Sequence, residues 1–147
     1  MLAAASGRAA CRVRVMTFSS AVSSVLGKYA TFSGRAPRSE YWWWVLFTIL
    51  VNWVATFVDT LLFGEFYLMH YEEIQVFTPI TTLIGLALTL PSIAVGARRF
   101  HDLRHSGWWL LIGLTGIGAL VIFFWFMRRG TEGPNRYGPD PLDHRPI

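Results

Sequence analysis

Arg98-Arg99-Phe100-His101-Asp102-Leu103-Arg104-His105-Ser106-Gly107-Trp108-Trp109 is the stretch on which the fold turns. It gathers three arginines, two histidines and an aspartate between two long uncharged runs. No ionisable side chain occurs in the 24 residues between Glu73 and Arg98, nor in the 22 between His105 and Arg128. A further apolar run, Tyr41 to Gly64, carries Asp59 as its single charge. A bilayer core of ~30 Å takes about 20 apolar helical residues, and all three runs reach that length. Backbone groups in lipid bond within their own segment, so each run is expected to be helical. The quoted stretch is then a charged corner joining a second span to a third.

Composition agrees. Hydrophobic residues make up 53% of the chain and charged residues 15%, with a mean hydropathy of +0.40. A soluble domain carries about a quarter charged residues, and a soluble helical core of this kind needs more polar surface than is present. The positive balance rests on 12 arginines and one lysine, Lys28. Next to apolar runs, such charge orients the chain and meets anionic head groups; nothing in its pattern points to nucleic acid. The single cysteine, Cys11, excludes an internal disulfide and a cysteine-built metal cage.

Residues 1–15 contain three arginines and no acid, and read as an unstructured tail or an over-extended start before Met16. From Thr17 to Thr31, Phe18, Val22, Val25, Leu26 and Tyr29 form one apolar stripe, which predicts a short helix lying along the membrane surface. Ser33 to Arg38 is a turn. Residues 16–142 read as one membrane domain with spans at about 41–63, 74–97 and 107–127, and 143–147 as a loose end. Trp42 and Trp43 before span one, and Trp108 and Trp109 before span three, are expected interfacial anchors. Pro91 is expected to kink span two, and Gly113, Gly116 and Gly118 to permit close helix approach in span three. The fold class is all-α: a surface helix, three spans and a turn-rich tail.

Six basic residues precede span one and three lie in the corner, while the loop between spans one and two has none. The positive-inside rule therefore places the N-terminus and the corner in the cytoplasm. Three crossings, the reading adopted, leave the tail outside against the pull of Arg128, Arg129, Arg136 and Arg145; either those charges are outvoted or one run does not cross fully.

Three blocks carry a family resemblance. They are Phe32-Ser33-Gly34-Arg35 with Arg38-Ser39-Glu40-Tyr41-Trp42-Trp43; Leu90 to Val95 running into Arg98 to Asp102 and Ser106 to Trp109; and Gly130-Thr131-Glu132-Gly133-Pro134-Asn135-Arg136-Tyr137-Gly138-Pro139-Asp140-Pro141. In this order they bracket residues 16–142, and the chain resembles the DUF805 family of YhaH- and YhaI-like bacterial inner-membrane proteins. The resemblance implies a multi-pass inner-membrane protein and supplies no reaction.

A helix continued through the corner sets Arg98, His101, Asp102 and His105 on one face, with Arg98 and Asp102 paired across a turn. Arg35, Arg38, Arg98 and Arg99 are the candidate site for an anionic lipid head group or a membrane partner, since guanidinium forks suit phosphate oxygens. Glu40, His101 and Asp102 are the expected supporting ion-pair residues. His101 and His105 have metal-ligand spacing but lack a third ligand among crowding arginines, so no metal site or cofactor is expected. His101, Asp102 and Ser106 have the residue types of a hydrolase, but adjacent His and Asp diverge by about 100° on a helix, so no catalytic residue is assigned. The expected partners are anionic membrane lipids and a second copy or another membrane protein. The alternative is a small oligomeric transporter or channel subunit built on Asn52, Asp59 and the glycines of span three. For Asp59 itself, near the end of span one, a capping or interfacial role is the better reading.

Overall fold

The computed structural model describes residues 16–69 and 78–142. The readings of residues 1–15, of residues 143–147 and of the start of span two lie outside them. Among the described residues every regular element is helical: α1 (Phe18–Gly27), α2 (Arg38–Met69), α3 (Pro79–Asp102), a 3-10 segment (Gly107–Thr115) and α4 (Ile117–Met127). Two helical stretches are long and apolar enough to cross a membrane, Arg38–Gly64 and Pro79–Asp102. At 1.5 Å per residue they measure about 40 and 36 Å.

α1 begins at a capping box in which Thr17 and Ser20 satisfy each other's backbone N–H groups. Its apolar stripe packs inward only in part, with Phe18, Leu26 and Tyr29 left exposed. Ala21 and Val25 are buried, Val25 meets Trp44 and Val95, and the Phe18 ring stands edge-on to Trp43. The expected surface helix is therefore shorter than its stripe, and it lies against α2.

α2 and α3 run antiparallel, as contacts between Glu40 and Arg98, Trp44 and Ser92, and Thr56 and Thr81 show. Two polar groups make their apolar surroundings tolerable. Asp59, fully buried on α2, accepts the backbone N–H groups of Ile80 at 3.1 Å and Thr81 at 2.8 Å. Thr78 precedes α3 without a side-chain cap, so the helix borrows its cap from the neighbouring helix. Pro91 sits buried inside α3 and denies the Ala87 carbonyl its usual partner. The Tyr29 hydroxyl donates to that carbonyl, and the helix continues past Pro91.

The run from Gly107 to Met127 is not one helix. Its first nine residues wind as 3-10, Gly116 adopts φ +71°, and α4 then runs for 11 residues. The Thr115 hydroxyl clasps the turn, donating to the Ile112 carbonyl at 2.7 Å and accepting from the Gly118 N–H at 3.1 Å. A methyl group on Gly118 would overlap the Ile112 carbonyl, and one on Gly113 would meet Ile122 at 3.2 Å. The two arms thus lie side by side, each only about 16–18 Å long. The expected third span is replaced by a hairpin. Its far arm returns to the end of the bundle from which it left, because Tyr41 at the start of α2 packs edge-on against Phe126 at 4.6 Å between ring centroids. The tail follows on that same end, not on the opposite one.

The borrowed cap is testable. Asp59→Ala is expected to lower stability by roughly 1–2 kcal/mol, read as an earlier unfolding transition in mild detergent. Asp59→Asn, which keeps an acceptor oxygen, is expected to retain most of it.

Candidate functional site

The start of α2, the last turn of α3, the end of α4 and the tail converge on a cluster of buried charges. Arg35, Glu40, Arg98, Arg99 and Asp102 are each at most 7% exposed. The Asp102 carboxylate lies between two guanidinium groups. Arg35 approaches it at 2.9 Å from the loop before α2, and Arg99 from one turn back on α3. Each arginine also donates to backbone carbonyls. Arg35 donates to Gly133 at 2.6 Å and to Thr131, while Arg99 donates to Phe126 at 3.0 Å and to Arg128. Arg99 therefore supplies a cation to the carbonyl end of α4, where the helix dipole favours one.

Arg98 belongs to a second pair. Its Nη1 donates to Glu40 at 3.0 Å, and Ser24 of α1 donates to the same carboxylate oxygen at 3.2 Å. Arg98 Nε and Nη2, and Arg99 Nε, have no hydrogen-bond partner among the described residues. Within the helix Arg98 does not pair with Asp102 as the local spacing suggests. Asp102 is already occupied by Arg35 and Arg99, and Glu40 presents a free carboxylate across the helix interface.

The tail caps α3. Thr131 donates both its N–H and its hydroxyl to the Asp102 carbonyl, at 3.0 and 2.9 Å, and Asn135 donates to the His101 carbonyl at 3.0 Å. Asn135 and Gly138 exchange backbone hydrogen bonds across a tight turn, which lays the Tyr137 ring flat on His101 at 3.9 Å and 6°. His101 Nδ1 lies 3.2 Å from the Gly34 carbonyl. Gly130 has no room for a side chain, since a methyl group there would run into the Asp102 carboxylate. Asp140 stiffens the loop by accepting from the N–H groups of Gly133 and Leu142.

The segment from residue 29 to residue 139 matches the family model described as protein of unknown function (DUF805). The chain belongs to the DUF805 family. It is 38% identical over 118 residues to the inner membrane protein YhaH of Escherichia coli strain K12, which spans 80% of this chain and 92% of that protein. It is 40% identical over 119 residues to the inner membrane protein YhaI of the same strain, with the same shares of the two chains. No solved structure matches. The DUF805 segment contains the whole charge cluster from Arg35 to Asp102 and its tail partners Thr131, Asn135 and Tyr137. The chain is thus a membrane protein of this family.

Of the four arginines assigned to a head-group site in the sequence, Arg35, Arg98 and Arg99 turn inward. Arg38 is exposed, and with Arg129 it lines a cleft of about 420 Å³ between the start of α2 and the tail, into which Glu132 and Asp140 also face. Among the described residues His101 makes no ion pair; it bonds Gly34 and stacks on Tyr137. His105 stacks on Trp125 instead, at 5.0 Å, because α3 ends at Asp102 and the chain turns through a left-handed Arg104 at φ +64°. Trp42 packs edge-on to Phe123, Trp43 donates to the Met16 carbonyl, and Trp109 leans on Trp125. Trp108 stands almost free at 79% exposure. Ser24, Thr131, Asn135 and Tyr137 escape a reading based on charge, and only the turn chemistry of the tail marks the last three.

Removing one member of a buried pair strands its partner, at a cost of roughly 3–5 kcal/mol. Arg99→Ala and Asp102→Ala are therefore expected to abolish a cooperative thermal transition in detergent. Arg38→Ala is expected to shift it by no more than about 0.5 kcal/mol equivalent.

Proposed function

We propose that this chain is a non-enzymatic protein of the bacterial inner membrane that holds anionic lipid head groups on its cytoplasmic face. α2 and α3 cross the bilayer, and the hairpin of residues 107–127 enters from the cytoplasmic side and returns to it. Large apolar side chains exposed along every helix, among them Ile49, Trp53, Phe57, Leu83, Leu86 and Phe124, suit contact with lipid tails. A returning hairpin brings the tail arginines to the side that the positive-inside rule prefers.

The observation that carries the lipid reading is the charge left on the surface at that end. Arg38, Arg104, Arg128, Arg129 and Arg136 are exposed there, against Glu132 as the one exposed acid at that end among the described residues. Cations beside an anionic leaflet contribute about 1 kcal/mol each. Arg35, Arg98 and Arg99 support the site from within, fixing the helix ends and the tail that present the outer arginines. Transport draws less support, because both Asp59 oxygens are engaged in capping α3.

Two measurements test this. A fluorescent protein that matures only in the cytoplasm, fused after Ile147, is expected to fluoresce; a dark fusion that is active as a periplasmic phosphatase fusion restores three crossings. The triple variant Arg38→Ala, Arg128→Ala, Arg129→Ala is expected to keep its thermal transition yet lose phosphatidylglycerol co-purification by about tenfold or more. Undiminished lipid in a folded variant contradicts the head-group role.

A further inference from the structure

A cavity of about 370 Å³ opens beside His101, on the face of α3 that meets the 3-10 segment. This volume is of the size that small ligands occupy. Its walls are apolar, built from Phe32, Ile93, Ala97, Trp108, Leu110 and Leu111. Among the described residues, the polar side chains that reach it are His101 and Ser106, and no arginine lines it.

The imidazole is held so that one nitrogen faces inward. Nδ1 lies 3.2 Å from the Gly34 carbonyl, which only accepts, so Nδ1 carries the proton. The ring plane is fixed by the parallel Tyr137 ring. In the neutral ring Nε2 is then an acceptor, and among the described residues no protein donor is bonded to it. A methyl group on Gly107 would stand 3.6 Å from Nε2 and 3.0 Å from the Ala97 Cβ, so glycine there leaves that nitrogen uncovered. An acceptor set in an apolar wall rewards a ligand that donates to it and penalises one that does not.

We infer that this cavity is a binding site for a neutral amphiphile whose hydroxyl donates a hydrogen bond to His101 Nε2 while its apolar body lies between Phe32, Ile93 and Trp108. The lack of a lining guanidinium selects against phosphate head groups and separates this site from the exposed arginines. Trp108 at the mouth, 79% exposed, leaves entry open from the bilayer. Two membrane sources offer this chemistry: the free hydroxyl of a diacylglycerol and the ring hydroxyl of an isoprenoid quinol.

The test is photolabelling of the full chain in phosphatidylcholine nanodiscs. The probes are a diazirine-tagged diacylglycerol, a diazirine-tagged isoprenoid quinol and the O-methyl ether of each. At least one hydroxyl probe is expected to label the segment around Trp108 to Leu111, which identifies the source. Its methyl ether is expected to label about tenfold less. His101→Asn keeps a donor for the Gly34 carbonyl but removes the Nε2 acceptor, and it is expected to reduce labelling to the level of the ether. Leu111→Trp, at an exposed position, is expected to fill the cavity and block labelling, and it decides the matter if the asparagine variant fails to fold. Equal labelling by hydroxyl and ether probes, undiminished labelling of either variant, or no labelling by either hydroxyl probe overturns the assignment.

Discussion

The Asp102 carboxylate is the point on which this structure is hung. It pairs with Arg35 and Arg99 at once, and each of those arginines reaches a different segment. Arg35 holds the loop before α2 and the tail at Thr131 and Gly133, while Arg99 holds the end of α4 at Phe126 and Arg128. The Asp102 carbonyl receives Thr131 as well. Three buried guanidinium groups stand against two buried carboxylates, so the cluster carries one excess positive charge (3 − 2) among the described residues. Backbone carbonyls absorb it, including those at the C-terminal end of α4. A buried pair of this kind adds little net stability over a well-packed apolar substitute. What it supplies here is registration, since mispairing any of these segments strands a charge.

The same accounting governs the apolar half of the bundle. Backbone groups that cannot turn to water must find partners in the protein. Pro91 frees the Ala87 carbonyl, and Tyr29 takes it. The α3 N-terminus lacks a cap of its own, and Asp59 supplies one. Thr48, Thr60, Thr82, Thr89 and Ser92 each return their hydroxyls to a carbonyl three or four residues back on their own helix. Side chains facing water have no need of this economy.

Much of this was legible in the sequence, and the parts that were not share a cause. Uncharged runs of the right length announce helices in lipid, and α2 and α3 follow from them directly. The stretch from Ser106 to Met127 is nearly as long and just as free of charge, yet it doubles back. Hydropathy counts apolar residues and is blind to a reversal among them. The arginines of the tail pull against a third crossing, and Gly116 and Gly118 mark where the chain turns. Pairing failed for a related reason. Arg98 and Asp102 are ideally spaced on one helix, but Glu40, 58 positions away in sequence, competes for Arg98 once the helices pack. Local spacing names the residues of a buried cluster without naming who bonds whom.

The hairpin also explains why polar chemistry gathers at one end. Its arms reach only about half the depth of a bilayer core of ~30 Å, so four chain segments crowd the arginine end while α2 and α3 continue alone. Crowding there permits burial of five charged side chains, which two helices by themselves have no volume to enclose. Where the hairpin's first arm reaches the seam of α2 and α3 at Leu110, that seam is lined by Thr48, Asn52, Gly85 and Thr89, small or self-bonded groups that ask nothing of a neighbour. The asymmetry follows from one left-handed glycine: a continuous helix through Gly116 would carry Arg128 and Arg129 to the far face, take the carbonyl of Phe126 from Arg99, and leave Asp102 without the tail that caps it.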